Sequence, residues 1–190
     1  MFQFILMIDR NEALILLNKY LKKRDLIRYS LAVEAILKDT ANKLHKDEEL
    51  WSVTGLLHNL DYEYTFNEPE KRGSISSQLL EGLIPKDGLN AILANNYMHT
   101  GYTPTTSLDK AIIAASAISD FVFSVVEETP TKKLFEVDLK LLNTKFNDPY
   151  FSDRNVKNKI NLCVDFGIDL KSFFVISINS LKKISDSIDM

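Results

Sequence analysis

The densest group of chemically active side chains lies in residues 56–63, LLHNLDYE, where an apolar run ends in His58, Asn59 and two acids, Asp61 and Glu63. A histidine next to carboxylates can act as a general base that activates water. A histidine in the last turn of a helix can equally be structural, because the helix dipole there favours its positive form. From these residues alone, the structural role is the favoured interpretation of His58.

Several further segments resemble one known family. They are residues 28–34 (RYSLAVE), 49–63 (ELWSVTGLLHNLDYE), 69–73 (PEKRG), 91–96 (AILANN), 111–116 (AIIAAS) and the stretch 151–168. Together they look like a bacterial subfamily of the HD-domain metal-dependent phosphohydrolases. The resemblance covers nearly all of the chain after Asp9.

The resemblance implies an active site in which histidines and aspartates from several helices bind a divalent metal. The metal-bound water of such an enzyme attacks a phosphoester. The positions of this chain that correspond to the family's ligands are Tyr29, His58, Asn59, Arg72, Asn95 and Ser116. Only His58 keeps the family's residue type, and Asn96 is an alternative to Asn95.

The replacements are poor metal ligands. An amide and a hydroxyl bind metals weakly, a phenol must first lose a proton with a pKa near ~10, and a guanidinium repels cations. Two carboxylates are lost and one guanidinium is gained, so the expected pocket is three charge units more positive than the family pattern. We therefore expect no catalytic metal and no other cofactor; the alternative is a weakly bound divalent metal. His45 and His99 are expected on the surface.

The favoured function is therefore that of a catalytically impaired or inactive relative of these hydrolases. Its polar pocket would bind a small anionic or nucleotide-like ligand, with Arg72 as the anion-binding residue because a guanidinium suits phosphate. The competing structural interpretation is that Arg72 pairs with Asp61 or Glu63 and that the polar side chains only satisfy one another.

Two other functions stay open. One is a weak or altered phosphohydrolase in which His58 or a neighbouring acid activates water. The other is an interaction module that forms a homodimer or pairs with an active relative, through the apolar leader at 1–8 or through Phe173 and Phe174.

The elements that must position these residues are helices. Apolar residues recur at spacings of three and four nearly everywhere, and the chain has only six glycines and five prolines. We expect one all-α domain, a bundle of eight or nine helices. The resemblance implies that this bundle is HD-domain-like. Helices from about residue 130 to residue 190 are expected to pack on the same core. The predicted helices cover 9–20, 25–44, 47–60, 72–81, 86–98, 107–127, 137–146, 153–166 and the segment after Asp169, with a loop at 61–71.

Composition excludes several classes of protein. The net charge is −3 and basic runs are short, so no nucleic-acid-binding surface is indicated. The leader at 1–8 is too short to span a bilayer and has no basic flank, so a cytoplasmic protein without a membrane segment is expected. Cys163, the only cysteine, is predicted to be buried and unreactive.

Overall fold

The computed structural model describes residues 7–151 and 153–190, and these residues form ten α-helices and no strand. The predicted all-α fold is therefore confirmed. The helices are α1 (Arg10–Tyr20), α2 (Arg24–Leu44), α3 (Glu48–Leu57), α4 (Ser74–Leu79), α5 (Lys86–Asn95), α6 (Tyr97–Thr100), α7 (Ser107–Glu127), α8 (Leu139–Asn147), α9 (Arg154–Asp165) and α10 (Leu170–Lys183). No helix in the described ranges is long and apolar enough to cross a membrane.

Aspartates begin most of the long helices, because their carboxylates accept backbone N–H groups that the first turn leaves without partners. Asp9 accepts from Glu12 and forms a capping box with it, while Asp47, Asp153 and Asp169 each accept from the residue three positions later. α7 covers the predicted range 107–127. We expected Ser107 to cap it, but the cap is Thr106, which forms a capping box with Asp109.

Two helices are shorter than predicted. α3 ends at Leu57, so His58 is its C-terminal cap, and α4 begins only after Gly73, whose φ of +83° does not belong to a helix. The segment 86–98 is divided at Asn96, which raises the helix number to ten. The side chain of Asn96 donates to the carbonyls of Pro69 and Arg72, so tertiary contacts accompany this break.

α7 is the central helix of the larger hydrophobic core. Most of its residues are buried, and small side chains such as Ala111, Ala114 and Ala115 let other helices approach it closely. α2 and α5 pack on α7, and the C-terminal helices α9 and α10 contribute to the same cluster. A second cluster joins α1, α3 and the turn after α4.

The burial of Phe173, Phe174 and Cys163 tests predictions about which side chains are exposed. Phe173 and Phe174 are almost completely buried, so these two side chains do not form an exposed apolar surface on α10. Cys163 is buried as predicted, and burial raises the pKa of its thiol to about 11. Most of the apolar leader, residues 1–6, lies outside the described residues; at its end, the backbone N–H of Ile8 donates to the carbonyl of Leu83 at 3.0 Å.

Candidate functional site

A cavity of about 610 Å³ lies between α2, α7, the start of α9 and the segment that connects α3 with α4. All six residues singled out from the sequence line it: Tyr29, His58, Asn59, Arg72, Asn95 and Ser116. They come from positions up to 87 residues apart in the chain, as the contact between Tyr29 and Ser116 illustrates. A volume of this size suits a small organic ligand.

The connection between α3 and α4 is held by a buried carboxylate. Oδ2 of Asp61 accepts the backbone N–H of Gly73 at 2.7 Å and that of Ser76 at 2.9 Å, while the hydroxyl of Ser76 accepts the N–H of Asp61 at 3.0 Å. Burial raises the pKa of Asp61, and these hydrogen bonds oppose that rise. Asp61 therefore fixes the backbone next to Arg72, and its side chain does not line the cavity.

Asn96 holds the same segment from the other side. Its Nδ2 donates to the carbonyl of Arg72 at 2.9 Å and to that of Pro69 at 3.1 Å. Both Asn95 and Asn96 line the cavity, but the amide of Asn96 is engaged with the backbone. Of these two asparagines, Asn95 is therefore the one whose side chain remains available to a ligand.

His58 is buried and neutral. Its Nδ1 lies 2.7 Å from the carbonyl oxygen of Gly55; because a carbonyl only accepts, Nδ1 carries the proton. Burial lowers the pKa of His58 to about 4, so the expectation that the helix dipole favours the charged form is wrong. Nε2 is left with a lone pair, and it has no hydrogen-bond partner among the described residues.

Arg72 lies with its guanidinium carbon 3.9 Å from the centre of the Tyr62 ring. In the ranges that the structure describes, no ion pair joins Arg72 to a carboxylate. The predicted pairing with Asp61 or Glu63 is therefore wrong. Asp61 binds the backbone as described, and Oε1 of Glu63 accepts the N–H groups of Lys22 and Lys23, both at 2.8 Å.

Several polar atoms around the cavity are buried without a protein partner in the described residues. They are Nε2 of His58, Nδ2 of Asn59, Nε of Arg72 and Oγ of Ser116. The side chains of His58, Asn59 and Ser116 are only 3%, 4% and 7% exposed. Because an unsatisfied buried polar group costs about 1–3 kcal/mol, this set is more stable when a ligand or water supplies the missing hydrogen bonds.

Tyr29 contacts both α7 and His58. Its hydroxyl donates to the carbonyl of Ser116 at 3.3 Å, and its ring centre lies 5.6 Å from that of His58. Burial raises the pKa of Tyr29, and the charge of Asp120 raises it further. The phenol therefore stays protonated.

The sequence interpretation missed four charged residues that line the same cavity: Asp25, Asp120, Asp153 and Lys159. The cavity therefore carries three carboxylates besides Arg72 and Lys159, charges that the comparison of the six positions with the family pattern did not include. Asp120 could have been found, because it follows Ser116 by four residues and so shares its helix face. Asp153 caps α9 and Lys159 lies within it, and only the tertiary structure reveals that this helix approaches the cavity.

A divalent metal of the kind that the resembled family uses does not fit these residues. Among the described residues, no group of three or more histidine, cysteine, aspartate or glutamate side chains is arranged to hold a metal ion. Tyr29 would have to ionise against a raised pKa, and Arg72 adds a positive charge to the same cavity. Of the six positions that correspond to the family's ligands, only His58 offers the lone pair of a good ligand. His45 and His99 are exposed, as expected, and lie away from the cavity lining.

Comparison of the chain with models of protein families, with curated proteins and with solved structures gives no match. The resemblance to the HD-domain hydrolases therefore rests on the sequence motifs.

Proposed function

We propose that this protein is a catalytically impaired or inactive relative of the HD-domain phosphohydrolases that binds a small anionic ligand without a catalytic metal. The observation that carries the proposal is the state of Arg72. Its guanidinium stacks on Tyr62 at 3.9 Å, lines a cavity of about 610 Å³ and has no carboxylate partner in the described part of the chain. A fixed guanidinium with free N–H groups is suited to a phosphate or carboxylate.

The neighbouring buried atoms favour the same kind of ligand. Nδ2 of Asn59 and Oγ of Ser116 are further hydrogen-bond donors without partners among the described residues. Nε2 of His58 is the one atom among them that can only accept, and it suits the O–H of a protonated phosphate or of a sugar. A phosphate ester in this cavity would replace missing hydrogen bonds and gain charge-assisted ones, each worth roughly 1.5–3 kcal/mol.

The proposal is tested by thermal shift and calorimetric titration with orthophosphate, adenosine monophosphate and glucose 6-phosphate in a phosphate-free buffer. We expect wild-type protein to be stabilised by at least one of these probes. Arg72→Gln should bind that probe at least about tenfold more weakly, since it loses a charge-assisted hydrogen bond. Lys182→Gln, which removes one positive charge from an exposed position on α10, is the matched control and should bind like wild type.

Two results would contradict the proposal. One is that none of the three probes stabilises wild-type protein. The other is equal binding by wild type and Arg72→Gln, because an anion held elsewhere would not respond to this substitution.

A weak phosphohydrolase is the second candidate, and the free lone pair of His58 Nε2 in the cavity is the observation that favours it. A base with a pKa of about 4 accepts a proton poorly near neutral pH. Asp61 and Glu63, the other water-activating residues considered, are bound to backbone N–H groups. Turnover of a phosphomonoester that His58→Ala abolishes would support this function, and unchanged background hydrolysis in that variant would remove it.

A further inference from the structure

Asp120 gives the cavity a second polar end. α7 contributes Ser116, Ala117, Asp120 and Ser124 to the lining. A helix rises about 1.5 Å per residue, so the Cα atoms of Ser116 and Asp120 are about 6 Å apart along α7. Oγ of Ser116 is one of the unpartnered polar atoms, and the Asp120 carboxylate lies one turn further along the same face of α7.

The Asp120 carboxylate is the one acidic group of the lining that has no internal partner in the described residues. Asp25 pairs with Arg28 at 3.3 Å, and Oδ1 of Asp153 accepts the N–H of Val156 at 2.8 Å. Asp120 has neither a side-chain hydrogen bond nor an ion pair within the described ranges, although Lys159 is close enough to lower its pKa. A carboxylate in this situation binds a cation or a hydrogen-bond donor.

The environment of Asp120 is only partly aqueous. Water reaches its carboxylate, yet the surrounding protein raises its pKa to about 6. A bound cation would therefore interact with Asp120 in a medium less polar than bulk water, where an opposite charge attracts it more strongly. Phe121 and Phe151 line the wall beside it, with ring centres 5.6 Å apart.

We infer that the ligand of this cavity is an amino-substituted phosphate ester, whose phosphate binds at Arg72 and whose primary ammonium binds Asp120. The inference rests on the proposed function, because it places the anionic group of the ligand at Arg72. Its independent support comes from α7: Oγ of Ser116 and, one helical turn away, the Asp120 carboxylate both lack a hydrogen-bond partner among the described residues. A ligand with only the anionic group would leave the Asp120 carboxylate to water and to the charge of Lys159.

The test compares two sugar phosphates that differ in one group, glucosamine 6-phosphate and glucose 6-phosphate, by calorimetric titration at pH 7. Both carry the same phosphate, and only the first carries a primary ammonium. We expect wild-type protein to bind glucosamine 6-phosphate about tenfold more tightly, as one charge-assisted hydrogen bond implies. Asp120→Asn should abolish this preference, and it should bind glucose 6-phosphate at least as tightly as wild type does, because it removes a negative charge from the cavity that holds the phosphate. Asp186→Asn, at an exposed position far along the chain, should behave as wild type.

The outcomes separate this inference from the proposed function. Equal affinity of wild-type protein for the two sugars, or a preference that persists in Asp120→Asn, overturns the role of Asp120 while binding at Arg72 stands. If neither sugar phosphate binds but orthophosphate or adenosine monophosphate does, this inference fails and the proposed function stands; if none of the four probes binds, both fail. Circular dichroism of Asp120→Asn verifies that the variant is folded, which an exposed and isosteric substitution should preserve.

Discussion

Replacing His58 by asparagine should make the stability of this protein less sensitive to acid. The Nδ2 of asparagine can take the place of the histidine Nδ1 and donate to the carbonyl of Gly55, so the variant keeps the local hydrogen bond and loses the titrating group. The wild-type imidazole is 3% exposed and has a pKa of about 4, against 6.5 for an unfolded histidine.

The sign of the effect follows from proton binding. Below pH 6.5 the unfolded chain binds a proton at this histidine and the folded protein does not, so acid favours unfolding until the pH reaches about 4. Integrated from pH 7 to pH 5 with these two pKa values, wild type should lose about 2 kcal/mol of unfolding free energy through His58. The asparagine variant should lose none through this position.

Asp120 acts in the opposite direction, because its pKa is raised to about 6 and its contribution to stability improves as the pH falls through that value. This effect is present in both proteins and cancels in their comparison. Urea unfolding at pH 7 and pH 5 therefore measures His58 as the difference between the two pH-dependent losses.

A second measurement examines the imidazole directly. The His58 resonance is the histidine signal that is missing from the NMR spectrum of His58→Asn, and it should not titrate above pH 5. An equal loss of stability in both proteins between pH 7 and pH 5, or a His58 resonance that titrates near pH 6.5, would refute the buried neutral state. The assignment of Nε2 as the acceptor in the cavity would fall with it.

Two further predictions concern the backbone beside Arg72 and the only thiol. Gly73→Ala should lower the unfolding free energy by about 1–3 kcal/mol, since its φ is +83° and a Cβ would lie 3.0 Å from the carbonyl oxygen of Ile92. It should also weaken phosphate binding. Urea unfolding measures the first effect and calorimetric titration with orthophosphate the second. Gly82→Ala, at φ +79° with no atom near its Cβ, is the control for backbone strain alone, and an equal loss there would contradict the role of the contact. Cys163 should not react with a disulfide reagent until denaturant is added, and rapid labelling of the native protein would show that this thiol is accessible.

Local sequence was a good guide to the helices because the interactions that begin and end them are short-range. Asp9, Asp47 and Asp169 stand at the predicted helix starts and cap those helices, and each carboxylate needs only an N–H three residues away. The errors lie where distant contacts intervene. Asn96 interrupts the segment 86–98 while its side chain binds Pro69 and Arg72, residues more than twenty positions earlier.

The membership of the cavity was predicted from a resemblance, since no local pattern connects Tyr29 with Ser116. The six residues named in this way line one cavity in the structure. Their chemical state was predicted less well. His58 was expected to be favoured as a cation and is neutral, because the cost of dehydrating a buried charge exceeds the attraction of a helix end.

The amino-acid sequence by itself determined the all-helical fold and most helix starts, because these depend on residue type and short-range spacing. The tertiary structure alone decided the electrostatics of the cavity. It stacked Arg72 on Tyr62, engaged Asp61 and Glu63 with backbone N–H groups, and brought Asp120 and Lys159 to the cavity wall. Charges interact through space, so their balance depends on which distant segments the fold brings together.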